Sequence, residues 1–316
     1  MKVTVIVVNW NGERFLERCL AALMEQTIKP HEVIVLDNAS TDDSLAIVRR
    51  FPSVHLMSLD YNSGFARGNN IAIRDSSPES EWVILLNPDA FPEPQWLENL
   101  LIASRENPEF DVFASKMVEA NNSELLDGSG DVYHISGLVW RRGCNRPVSS
   151  VPDNVDEIFS PCAAAAMYKR KVLLESGGFD EDFFCYLEDV DLGFRLRLAG
   201  YRCLYAPTSV VYHVGSGTTG GQHSDFAVYH GHRNLVWTYV KDMPGLLFWM
   251  FLSLHLAMNV FAVVVFTVRG QGRVILRAKR DALKGIPKMW RKRKDIQSRR
   301  KARLLDLLRV MTIRFW

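Results

Sequence analysis

Val3-Thr4-Val5-Ile6-Val7-Val8-Asn9-Trp10-Asn11-Gly12 opens the chain, and its reading decides the fold. The first six residues are an unbroken, mostly β-branched run, the composition of a strand buried on both faces inside a parallel sheet. Two asparagines and a glycine then end it in a polar turn. Working outward, Glu13–Met24 places Phe15, Leu16, Leu20 and Leu23 at helical spacing. Glu32–Leu36 reads as a second strand ending on Asp37, followed by the turn-and-cap cluster Asn38-Ala39-Ser40-Thr41-Asp42 and a helix through Ile47 and Val48. Val54–Met57 predicts a third strand, Phe65–Arg74 a helix, and Trp82–Leu86 a fourth strand ending at Asn87-Pro88-Asp89. A helix from Gln95 to Arg105 and a strand near Val112–Ser115 continue the series. Strands alternating with helices predict an α/β fold, a Rossmann-like, mostly parallel sheet flanked by helices. Ligands in such sheets sit beyond the carboxyl ends of the strands, where Asp37 and Asp89 can share a crevice.

Composition bounds the rest. A chain of 316 residues suggests two domains, or one large domain with an appendage. With 47% hydrophobic and 23% charged residues it has ample material for a core. The formal charge of +2 hides an asymmetry, because Arg269–Arg303 holds 15 Lys or Arg against only Asp281 and Asp295. Such a tail suits an anionic partner: nucleic acid, a membrane surface or an acidic substrate. The five scattered cysteines show neither a metal spacing nor a disulfide framework, which fits a reducing cytosol. The N-terminal run is too short for a signal peptide, so no export through this end is expected.

Lys116–Ser160 breaks into Gly, Asn, Ser and Pro and reads as loops with room for a hairpin. Pro161–Leu174 returns as a helix or a strand and helix. Then comes Phe183-Phe184-Cys185-Tyr186-Leu187-Glu188-Asp189-Val190-Asp191-Leu192, three carboxylates among aromatic and aliphatic residues. These acids open a helix ending near Ala199-Gly200, where they favour the positive end of its dipole. A carboxyl kept partly dry also makes a useful general base. Leu246–Val268 is apolar and long enough to span a bilayer, which takes about 20 residues. A single crossing would put the basic tail and the preceding domain on opposite sides, against the positive-inside rule. A helix or helical hairpin lying in the interface removes that conflict, so the boundary expected is residues 1–240 followed by a membrane-associating region, 241–316.

Six clusters occur in order: Val7–Gly12, Leu36–Asp42, Asn62–Asn70, Leu85–Ala90, Gly178–Glu181 and Glu188–Asp191. With these, residues 2–240 resemble the family-two inverting glycosyltransferases of GT-A fold, and more narrowly their bacterial rhamnosyltransferase-like branch. The resemblance implies a nucleoside-diphosphate sugar donor, dTDP-rhamnose or else a UDP-sugar, and a lipid-linked glycan acceptor. It implies donor contacts from Asn9, Asn11, Asp37, Arg67, Asn69, Asn70 and Asn87. Plain alternatives are an Asx-turn at Asp37, a simple turn at Asn9 and Asn11, and a surface Arg67 capping its neighbours. Asn87-Pro88-Asp89 stands where the family carries its metal-binding D-x-D, with Asn in place of the first acid. Asp89 would then hold Mg²⁺ or Mn²⁺ together with diphosphate oxygens, and His213 is implied as the distal ligand or a pyrophosphate contact. Asp189 is the expected general base, Glu188 an orienting neighbour, and Asp191 a structural partner of Arg195 at i,i+4.

Three other classes compete. A sugar nucleotidyltransferase would need cations in the first loop, which Asn9-Trp10-Asn11-Gly12 lacks. A non-catalytic sugar-binding scaffold is disfavoured by intact Asp89 and Asp189. A nucleic-acid binder rests on the basic tail alone and is not expected. No Q-x-x-R-W follows the carboxylates, which favours single-sugar addition over polymerisation; the expected location is the cytoplasmic face of the cell membrane, peripheral or monotopic. Oligomeric state stays open.

Overall fold

The structure, a computed structural model, describes residues 1–151, 153–215, 221 and 223–314. The opening alternation is observed as β1 (Val3–Asn9), α1 (Glu13–Met24), β2 (Glu32–Asp37), α2 (Ser44–Val48), β3 (His55–Ser58), α3 (Phe65–Asp75), β4 (Trp82–Leu86), β5 (Ala90–Pro92), α4 (Trp96–Glu106) and β6 (Val112–Glu119). There follow β7 (Leu126–Gly128), β8 (Asp131–Tyr133), β9 (Val139–Arg141), β10 (Asp156–Glu157), β11 (Ala165–Lys169), α5 (Arg170–Glu175), α6 (Glu188–Leu198) and β12 (Cys203–His213). Four helices end the chain: α7 (Asp225–Asp242), α8 (Gly245–Phe266), α9 (Gly272–Ser298) and α10 (Leu304–Val310).

The main sheet runs β10-β12-β6-β11-β4-β1-β2-β3. β4, β1, β2 and β3 are parallel, as the β-branched runs predict. β11 is antiparallel to both β4 and β6, so the strand near Val112 is not the direct neighbour of β4. Period-two alternation divides the strands between two cores. Val5, Val7, Val33, Val35, Ile84 and Leu86 face α1 and α4, while Ile6, Val8, Ile34, Leu36, Val83 and Leu85 face α3, α5 and α6.

The stretch 116–160 does contain a hairpin, β8–β9, in a small sheet of its own. β12 is longer than the β-like run before His213 suggests, because its ladder to β6 shifts register between Ala206 and Val210, around Pro207. A proline confined to such an irregularity is the usual way a strand accommodates one.

A third core joins the end of the chain to the sheet domain. Val190, Phe194 and Leu198 of α6 pack with Trp237 and Tyr239 of α7, Phe248 of α8, Met289 of α9 and Leu307 of α10. The expected division after residue 240 therefore falls inside α7. α8 and α9 form an antiparallel hairpin, with the Phe248 and Trp290 rings 5.6 Å apart at one end and Lys279 bonded to Asn259 further along. Between them the chain turns at Gly270, whose φ of 86° only glycine adopts freely. The basic tail is partly spent inside the molecule: Lys292 pairs with Asp180 and Asp182, Lys288 with Asp182, and buried Arg293 donates to the carbonyl of Val240. The far face of α8 is bare, with Trp249, Val260, Phe261 and Val264 exposed.

Candidate functional site

The carboxyl ends of β1, β2 and β4 open onto a cavity of about 1120 Å³. One wall is the first-half loops, through Trp10, Asn38, Asn62 and Gly64; the floor holds Asn87, Asp89 and His213; the opposite wall holds Asp131, Arg141, Glu188 and Asp189. Asp89 and Asp189, 100 positions apart in the chain, thus share one space.

The β1 and β2 loops are tied together beneath that wall. Asn9 Nδ2 donates to Asp37 Oδ1 at 3.1 Å and to Ser40 Oγ at 3.1 Å, and Ser40 N donates to Asp37 Oδ2 at 3.0 Å. Asn11, at a φ of 50°, accepts from Thr41 N at 2.8 Å. Asp37 is therefore buried with both oxygens engaged, in the Asx-like turn its sequence also allowed, and the adjacent Asn38 rather than Asp37 lines the cavity. The structure does not bring Asn69 and Asn70 to the cavity. Asn69 Nδ2 bonds to Phe65 O in its own helix. Asn70 clamps Phe179 at both ends, accepting from its N at 2.8 Å and donating to its O at 2.9 Å, which fastens α3 to the turn at Gly178. Arg67 also lies outside the lining, 3.8 Å from Glu181 and over the ring of Tyr61. A helix carries only part of its surface toward any one neighbour, and this face of α3 is turned to 178–181.

On the floor, His213 ends β12 opposite Ala90. Its Nε2 is 3.3 Å from Asp89 Oδ1 and 3.4 Å from Asn87 Nδ2, while Nδ1 is 2.8 Å from Asp127 Oδ2. Burial works against a charged ring, but Asp89 and Asp127 outweigh it and raise the His213 pKa to about 9. An imidazole anchored at Nδ1 by a carboxylate presents Nε2 as a metal donor. Asp89 and His213 therefore fit a divalent cation as two of its ligands. Among the described residues no group of three or more His, Cys, Asp or Glu is placed to hold one, so further ligands would have to come with the substrate.

On the opposite wall, Asp189 Oδ2 accepts from Ala163 N at 3.1 Å and Oδ1 from Val190 N at 2.8 Å. Burial pushes its carboxyl above the ordinary range, restrained by those two N–H groups and by Arg141. Glu188 is pushed well above, by burial and then by the charge of Asp189, and its Oε2 has no hydrogen-bond partner among the described residues. Asp191 turns away, as its position on the helix predicts, bonding Arg195 at 2.9 Å and pairing with buried Lys241.

The residues missed by sequence reasoning come from the stretch read as loops. Asp131, beside Ser160, is buried, and its carboxyl is raised well above the ordinary range by burial and by Asp189. Arg141 reaches Asp127 at 2.5 Å and Cys162 Sγ at 3.3 Å, placing one cation between the carboxylates of floor and wall. The signal was present as Asp127-Gly128-Ser129-Gly130-Asp131, two acids bracketing small residues. Of the run after His213, Ser216 and Gly217 lie outside the described residues, as do Phe315 and Trp316 of the terminal stretch.

With this geometry in place, comparison with known proteins gives the class. The profile described as "Glycosyl transferase family 2" matches residues 4–175 and that of "Glycosyl transferase family group 2" matches 152–268. The chain belongs to glycosyltransferase family 2. It is 29% identical over 239 residues to the N-acetylglucosaminyl-diphospho-decaprenol L-rhamnosyltransferase of Mycobacterium tuberculosis, covering 68% of this chain and 77% of that one. To the rhamnosyltransferase WbbL of Escherichia coli it is 28% identical over 222 residues, 65% of this chain and 80% of the relative. Its fold matches the mannosyltransferase PcManGT of Pyrobaculum calidifontis, solved with GDP-Man and Mn²⁺, at a TM-score of 0.56 and 21% identity, over 94% of this chain and 84% of that one. The fold is GT-A.

Proposed function

We propose that the protein is an inverting glycosyltransferase that moves rhamnose from a nucleoside-diphosphate donor to a hydroxyl of a lipid-linked glycan during cell-surface polysaccharide synthesis. The observation that carries this reading is the single cavity holding Asp89 and His213 on its floor and Glu188 and Asp189 on its far wall. The names of the M. tuberculosis and E. coli relatives support rhamnose, and the former supports a diphosphate-linked lipid acceptor.

The nucleoside is assigned to the wall built by the β1 and β2 loops, where Asn9, Asn11 and Asp37 fix the backbone that presents Trp10 and Asn38. Asn87 and Asp89 face the diphosphate. A Mg²⁺ or Mn²⁺ ion held by Asp89 and His213 would neutralise charge on the departing diphosphate. Arg67 lies outside this cavity and is assigned to its outer rim. Asp189 takes the proton of the attacking hydroxyl, and its two backbone N–H bonds hold it in place for this. Glu188, which lines the same cavity and has one buried carboxyl oxygen without a hydrogen-bond partner among the described residues, is the competing base. The acceptor is assigned to the part of the cavity lined by Trp140, Tyr186 and Arg314.

The bare face of α8 rests in the lipid interface on the cytoplasmic side, and exposed basic residues such as Arg273, Lys284 and Arg291 meet anionic head groups. The helical hairpin keeps both ends of α8 and α9 on the catalytic domain, which a single span would not. A different sugar carried on UDP is the alternative donor. Binding of a panel of nucleotide sugars, with Mn²⁺ or with EDTA, tests the reading: Mn²⁺-enhanced binding of dTDP-rhamnose supports it. Preference for a UDP-sugar shifts the specificity, and absence of nucleotide-sugar binding overturns the function.

A further inference from the structure

The segment leading into α6 has an unusual backbone. Phe184, Tyr186 and Leu187 all have positive φ, at 66°, 68° and 63°, and none is glycine. Side chains disfavour this region, so such a cluster persists only where the surroundings over-determine it. Leu187 is also the residue before the first turn of α6, yet it offers no side-chain cap, and Glu188 and Asp189 follow at once. The direction in which these two carboxylates leave the helix is set by this strained turn.

One buried side chain holds it. Asn234, fully buried in α7, places Nδ2 at 3.1 Å from Phe183 O, 3.0 Å from Cys185 O and 2.7 Å from Tyr186 O. Its own Oδ1 accepts from Arg233 Nε at 2.9 Å, and Arg233 Nη2 donates to Phe183 O at 2.8 Å. On the other side, Ala66 N donates to Phe184 O. Carbonyls turned inward by a left-handed turn have no ladder to join, so an amide whose two N–H groups are shared among three of them, with Arg233 also donating to Phe183 O, shapes the turn. No motif in the sequence singles out His232-Arg233-Asn234, and nothing in the cavity itself calls for Asn234, which does not line it.

We propose that Asn234 is a positioning residue for sugar transfer, holding the 183–187 turn in the shape that presents Glu188 and Asp189 to the acceptor hydroxyl. The proposal rests on the reading of those carboxylates as the catalytic pair. α7 is therefore part of the catalytic apparatus, and the elements packed on it act on the site through Asn234.

The test uses full-length N234A, N234S and N234Q, assayed for transfer with the donor identified by the binding panel. A displacement of about 1 Å at a reacting group costs about 10²-fold in rate, so N234A is expected to lose kcat by that order. The donor KM should stay within about twofold, since donor contacts sit on the opposite wall. N234S keeps one donor and should fall between wild type and N234A, and N234Q, which keeps the amide, should recover part of the loss. A second readout needs no activity. Cys185 lies in the turn and is half-buried, so labelling of its thiol, followed by peptide mass spectrometry, should accelerate in N234A and in the milder N234S. Unchanged Cys185 labelling, unchanged kcat in a folded variant, or a donor KM that rises as far as kcat falls each overturn the positioning role. D189N and E188Q test the underlying reading separately: if both stay active while Cys185 labelling accelerates in N234A, the turn is held as described but the choice of base fails.

Discussion

Replacing Asp189 with asparagine separates chemistry from folding, and the structure sets both magnitudes. General-base assistance contributes about 10²–10⁴-fold, or about 3–5 kcal/mol of transition-state stabilisation, so D189N should lose transfer by that factor. Stability should move little. Asp189 is harder to ionise in the folded chain than in the unfolded one. A carboxyl with a raised folded pKa costs stability above its unfolded value of about pH 4, and the cost grows as pH rises through the folded value. Asparagine removes that cost at neutral pH. It also replaces one acceptor oxygen by an amide, opposing the N–H of either Ala163 or Val190, a loss of about 1–3 kcal/mol. The two terms have opposite sign. Glu188→Gln lacks the second term, because Oε2 has no partner among the described residues, so E188Q should raise Tm at pH 7 and lose that advantage near pH 4. The assay is release of nucleoside diphosphate with and without acceptor, beside donor binding by calorimetry and Tm by fluorescence. D189N retaining more than about a tenth of wild-type transfer, while E188Q loses it, would pass the base role to Glu188.

Three further outcomes are expected. D89A should abolish the gain in donor affinity that Mn²⁺ confers, read by calorimetry against EDTA; an undiminished gain would remove Asp89 from the cation site. Changing Trp249, Phe261 and Val264 together to glutamate should release the protein from phosphatidylserine vesicles at unchanged Tm, since all three are exposed on α8, and retained binding would move the contact elsewhere. Gly64→Ala should lower stability by about 1–3 kcal/mol in urea titration. Its φ is 83°, and a β-carbon would come within 2.5 Å of the Phe184 ring and 2.8 Å of the Phe184 carbonyl, so a neutral result would contradict the packing of the β3–α3 loop against the catalytic turn.

Local signals carried much of the reading. β1, α1, β2 and β4 begin and end within a residue of where periodicity and turn chemistry place them, because each strand buries a continuous run closed by Asn or Asp and α1 buries Leu16, Cys19, Leu20 and Leu23 at helical spacing. The acid run at 188–191 likewise declared both the start of α6 and the separation of Asp189 from Asp191, which follows from helical geometry alone.

Long-range pairing was not legible. Asp131 and Arg141 reach the cavity only because β8 and β9 fold back beside α6, and Asp127 on β7 meets His213 behind it; these short strands carry too few residues to show a period. The antiparallel insertion of β11 between β4 and β6 depends on which edges meet, and no single segment encodes that. The sequence announced the apolar α8 and the basic stretch after it, but only the tertiary structure shows α9 returning along α8 and committing Lys288, Lys292 and Arg293 to the catalytic domain. Asn69 and Asn70 show the same limit from the other side. Their residue type suits a ligand, yet the face of α3 on which they fall meets protein. Residue chemistry and period are properties of neighbours along the chain, whereas which polar group finds a partner is decided by segments far apart in sequence.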